Sequence, residues 1–156
     1  GAANNKAEDY GGYYCWGSSI DKDTEVAYKS GSDALTGTDD TATNLWGSAW
    51  RMPTQAEFRA LYSSTNCTVE WTTVNGVNGR KFTGKGDYSS NSVFLPAAGS
   101  YNNGVSNDGV NGYYWSTTPV ENNKGFAYRL FFSSANYNAN FESCKVGYSV
   151  RAVLKE

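Results

Sequence analysis

The sequence predicts an α+β domain, on three observations. Two helix signals are confined to residues 39–62, short β-branched and aromatic segments follow from Thr68 onward, and turn dipeptides separate those segments. A length of 156 residues suits one core and is too short for two. Residues 1–9 are small and polar and read as a linker or an expression remnant, leaving 10–156 as a single domain.

Taken in order, Tyr10 to Gly17 is an aromatic run bounded by glycines and reads as the first strand. Residues 18–38 are acidic and rich in Gly, Ser and Thr, the composition of a surface loop. Asp39-Asp40 ahead of Thr41, with Gly47 behind Trp46, marks the two ends of a short helix. A second helix starts after Pro53, where Thr54 and Glu57 have capping-box spacing and Phe58, Leu61 and Tyr62 share one face. Val69 to Val74 then pairs with Arg80 to Thr83 through a turn at Asn75-Gly76 or Asn78-Gly79. Residues 84–91 form a loop, Ser92 to Gly99 a strand whose Pro96 suits an edge or bulge, and 100–112 a long loop. Three short strands complete the chain: Tyr113 to Thr117, Phe126 to Phe132, and Val146 to Val153.

Composition narrows the function. Thirteen Lys and Arg against fifteen Asp and Glu give a net charge of -2, which provides no global field for nucleic acid. The chain has no histidine, which excludes a Ser-His-Asp triad, a Cys-His dyad and His-ligated zinc or haem within it. No apolar run reaches the length of a membrane span, and the sequence begins with neither Met nor a signal peptide. Cys15, Cys67 and Cys144 allow at most one bridge; Cys67 reads as a small buried hydrophobe and Cys144, in a polar stretch, as exposed.

Period-2 geometry within Phe126 to Phe132 sends Tyr128, Leu130 and Phe132 to one face, expected to be core. Ala127, Arg129 and Phe131 share the other. An aromatic beside an arginine on an otherwise polar face is typical of a recognition surface, unless a loop covers Phe131.

Four blocks occur together in order: Tyr13-Tyr14-Cys15-Trp16-Gly17, Trp50 to Phe58, Phe94-Leu95-Pro96-Ala97-Ala98-Gly99, and Gly112 to Thr118 with Gly147-Tyr148-Ser149-Val150-Arg151. Over residues 10–153 the chain resembles the major paralogous domain named after Fibrobacter succinogenes, common in surface and secreted proteins of Bacteroidetes. That domain is similar to the variable proteins of diversity-generating retroelements and, remotely, to formylglycine-generating enzymes. The resemblance implies a C-type-lectin-like fold with paired terminal strands and two helices flanking a twisted antiparallel sheet. Trp50, Trp115 and Gly147 to Arg151 would be chiefly structural. It also implies an extracytoplasmic, cell-surface or secreted location within a longer chain, and ligand contacts from side chains between Tyr101 and Cys144. That stretch is rich in Asn, the residue whose codons adenine-directed mutagenesis changes most, and Asn is equally a good loop residue.

The chemistry available there favours binding over catalysis. Asn102, Asn103, Asn107 and Asp108 include one carboxylate, too few for calcium, and the Glu-Pro-Asn, Gln-Pro-Asp and Trp-Asn-Asp signatures are absent. No metal or other cofactor is expected. Formylglycine-type oxidation needs two neighbouring reactive cysteines, whereas Cys144 stands alone in its segment. The expected function is a non-enzymatic module that recognises a protein or carbohydrate at the cell surface, with no nucleic-acid partner. Its face would comprise Tyr101, Asn102, Asn103, Arg129, Phe131, Tyr137, Asn138, Asn140, Phe141 and Glu142. The alternative is a structural or adhesive surface subunit.

Overall fold

Helix formation follows the local signals. In the computed structural model, which describes residues 6–156, α1 spans Thr41–Trp46 and α2 spans Gln55–Tyr62. Asp40 caps α1 by accepting from the N–H groups of Ala42 and Thr43. Gly47 ends the helix at φ +99°, a conformation that suits glycine. The capping box of α2 is complete: Thr54 accepts from the Glu57 N–H at 3.1 Å, and Glu57 accepts from the Thr54 N–H at 2.9 Å.

Glu57 also takes both ends of the Arg51 guanidinium, at 2.6 and 2.9 Å. That pairing, reinforced by the Thr54 bonds against the opposing effect of burial, holds the carboxyl at about 2. A folded value below the unfolded one contributes stability above the ordinary carboxylate range and loses it as pH falls towards 2. Denaturant titrations from neutral to strongly acidic pH should therefore show a shallower decline for Glu57→Gln than for the wild type. Equal slopes would contradict the pairing.

Ten strands form four antiparallel sheets among the described residues. β1 (Trp50–Arg51) pairs with β10 (Val153–Leu154). β2 (Cys67–Val74), β3 (Val77–Gly84) and β4 (Ser92–Pro96) make a three-stranded sheet. Its hairpin turns at Asn75 and Gly76, with φ +49° and +82°, while Asn78 and Gly79 lie inside β3. β5 (Ser100–Tyr101) and β6 (Val105–Ser106) form a small hairpin inside the stretch expected to be loop. β7 (Gly112–Pro119), β8 (Phe126–Phe132) and β9 (Tyr137–Ser143) form the last sheet, with an irregular register between Trp115 and Pro119.

The expectation of an α+β, C-type-lectin-like domain is corrected by this architecture, which is mostly β with two short helices. Gly47 stops one helix after six residues, and the Ser63-Ser64-Thr65-Asn66 run follows the other after eight. Gly, Asn, Ser and Thr otherwise supply turns between strands. The expected first strand shrinks to a bridge between Tyr14 and Tyr148, although Tyr13 to Trp16 are all buried. The expected final strand breaks into bridges at Gly147 to Ser149 followed by β10. β9 was not expected at all. Of the proposed N-terminal linker, residues 1–5 lie outside the described residues, while Glu8 accepts from the Asn75 amide at 2.9 Å.

The β7–β8–β9 sheet has core on both sides. Tyr114, Leu130 and Phe132 join Phe58, Phe82 and Leu95 on one face, whereas Trp115 and Ala127 join Trp16, Met52, Cys144, Tyr148 and Val150 on the other. Tyr128, expected in the core, is half-buried, and Ala127, expected on the open face, is fully buried. Trp50 is also more exposed than expected, at 38%, and pairs across the strands with Leu154. Cys144 is buried rather than exposed, and all three cysteines are free.

Candidate functional site

Strand register assembles the site. Antiparallel partners point to the same face, so Tyr113 opposite Phe131, Trp115 opposite Arg129, Phe131 opposite Asn138, Arg129 opposite Asn140, and Ala127 opposite Glu142 all share one side of the sheet. The Trp115 and Ala127 end of that side is covered by core. The other end carries half-buried Phe131 and Tyr113 and exposed Asn138.

Arg129 is the centre of the arrangement. Its guanidinium carbon stands 4.6 Å from the Tyr113 ring centroid and 4.9 Å from that of Tyr148, while those two rings stack at 5.0 Å. Its Nε donates to Asn140 Oδ1 at 3.1 Å, and Nη1 donates to the Tyr148 hydroxyl. Burial pushes the Tyr148 hydroxyl above its ordinary range, against the opposing effect of the Arg129 charge, so it stays protonated. Arg129 therefore bonds to neutral partners and has no ion pair among the described residues, although the Glu142 carboxylate lies near enough to Tyr148 to help raise its hydroxyl. Phe131 packs beside Tyr113 with ring centroids 5.5 Å apart, and the Asn111 amide donates to the Tyr113 hydroxyl at 3.0 Å.

The ten expected residues do not form one patch. Arg129, Phe131, Asn138, Asn140 and Glu142 share the face just described. Tyr137 and Phe141 point to the opposite side, because they occupy the alternate positions of β9. Tyr137 lies 5.4 Å from the Tyr62 ring and 5.1 Å from the Arg80 guanidinium, and Phe141 packs edge-on against Phe126 and Tyr128. Tyr101 is half-buried and exchanges two 2.8 Å backbone hydrogen bonds with Gly147, the residue before Tyr148. Asn102 and Asn103 are exposed at the tip of the β5–β6 hairpin, and no hydrogen bond joins them to Arg129. Tyr113, Tyr148 and Asn111 were missed. Tyr113 was detectable from the alternation of β7, but Tyr148 reaches Arg129 only through long-range pairing.

Other reactive groups are quiet. Burial raises the Cys15 thiol to about 11 and the Cys144 thiol to about 12, so both are neutral and weakly nucleophilic near neutral pH. No cluster of three or more Cys, Asp or Glu side chains that could hold a metal ion occurs among the described residues. No helix among them is long and apolar enough to cross a membrane.

Comparison with curated proteins and with solved structures found no match. A family model described as a domain of unknown function (DUF8237) matches residues 68–153, from β2 through the start of β10 and including the whole Arg129 face. That match covers more than half of the chain, which belongs to this family.

Proposed function

We propose that this domain is a non-enzymatic recognition module of a bacterial surface or secreted protein, and that it binds a protein ligand through the open end of the Arg129 face. The supporting observation is the Arg129 cluster: a half-buried guanidinium set against the stacked rings of Tyr113 and Tyr148, near Phe131, with no carboxylate paired to it. Arginine and aromatic side chains dominate binding energy at protein interfaces, and rigid anchors lose little entropy on association. Asn138 supplies an adaptable polar contact at the rim. A protein fits better than a sugar because Tyr113 packs beside Phe131, which leaves less open ring for a sugar to stack on.

The test uses the tagged domain against an array of surface and secreted bacterial proteins and, in parallel, a glycan array. Phe131→Ala should weaken the protein signal by roughly 30-fold or more, the scale of an interface anchor. Asn138→Ala, at an exposed position, should weaken it with no change in thermal unfolding. Signals on glycans alone, or a protein signal that both variants retain, would overturn the reading.

A further inference from the structure

A second cation lies in a very different setting. Between α2, β4 and the run from Arg151 to Val153 is an open groove of about 560 Å³, within the size range of small-molecule sites. Pro53, Phe58, Leu61, Val93, Leu95 and Ala152 give it an apolar lining. Two of its polar members are already engaged: the Glu57 carboxylate holds Arg51, and the Asn66 amide donates to the Ala60 carbonyl at 2.9 Å.

Arg151 is not engaged. It is half-buried at the groove wall and has neither an ion pair nor a side-chain hydrogen bond among the described residues. A guanidinium against apolar walls loses part of its hydration without compensation, and a carboxylate restores that loss through two parallel hydrogen bonds. Glu57 is the carboxylate in the same lining, and its bidentate bond to Arg51 leaves it unable to serve Arg151 without breaking that pair. Charge and lining together select an anion with an apolar stem.

We infer that this groove binds a medium-chain aliphatic monocarboxylic acid, its carboxylate on Arg151 and its chain over Leu61, Val93 and Ala152, three partly exposed apolar members of the lining. The site uses none of the Arg129 face, so the two readings stand or fall separately.

Octanoate and octanol, which share a chain and differ in the head group, are the probes, and amide chemical shifts of the whole domain are the readout. Octanoate should shift residues of α2 and Arg151 to Val153 and bind at least about ten-fold more tightly than octanol. Arg151→Gln should erase that difference, and Arg151→Lys should restore part of it. Leu61→Gln should weaken both probes, which keeps the groove testable if Arg151→Gln unfolds. Equal affinity of the two probes, shifts confined to other segments, or no shift with millimolar octanoate would each overturn the proposal.

Discussion

Trp115→Ala should lower unfolding stability by about 3 to 5 kcal/mol, the range for removing a large aromatic from a packed core. Trp115 is fully buried on β7, its ring centroid 4.7 Å from that of Tyr148. Its indole N–H donates to the Tyr14 carbonyl at 2.7 Å, an acceptor that also receives the Tyr148 N–H at 3.0 Å. The carbonyl thus keeps a partner in the variant, and most of the loss comes from the cavity. Trp115→Phe fills much of that space and should cost about 1 to 2 kcal/mol. Urea unfolding checks both values, with an unchanged m-value showing that the denatured state is unaffected. A loss below about 1 kcal/mol for Trp115→Ala would mean that the site is not tightly packed. If the proposed interface is the Arg129 face, the same variant should also weaken capture of a protein ligand there, because Tyr148 rests on Trp115 and bonds to Arg129.

Asp40→Ala should cost about 2 to 4 kcal/mol, an effect large for a single surface-type residue. Asp40 is only 2% exposed, and its carboxylate performs two tasks. It caps α1 through Ala42 and Thr43, and it accepts the Met52 N–H with both oxygens, at 3.1 and 3.0 Å, just after β1. Removing the cap accounts for about 1 kcal/mol, and the stranded N–H of fully buried Met52 adds about 1 to 3 kcal/mol. Asp40→Asn keeps one acceptor oxygen and should recover most of the loss in the same unfolding experiment. If Asn and Ala behave alike, the hydrogen bonds to Met52 are not the source.

Elements specified by neighbours in sequence were legible. The Thr54 and Glu57 box, the Asp40 cap, and the pairing of β2 with β3 each depend on residues a few positions apart. Elements specified by distant partners were not. Tyr14 is held by Tyr148 across the length of the chain, and a two-residue strand such as β1 exists only because Val153 and Leu154 come back to it. β9 was missed because Asn138, Asn140 and Glu142 obscure the apolar alternation of Tyr137, Ala139 and Phe141. That omission also merged two faces of the sheet into one expected patch: without a strand there, nothing separated Tyr137 and Phe141 from their neighbours. Arg129 and Phe131 were legible together because β8 was recognised and its period is two.

The two cores on either side of β8 constrain how this surface can vary. A one-residue slip of β8 against its neighbours would carry Arg129 in among Phe58, Phe82 and Leu95 and turn Leu130 out, a double penalty that locks the strand in place. Asn138 and Glu142, on the outer strand, belong to neither core. The sheet therefore joins a central strand locked by two cores to an outer strand whose exposed Asn138 can be replaced without disturbing either one.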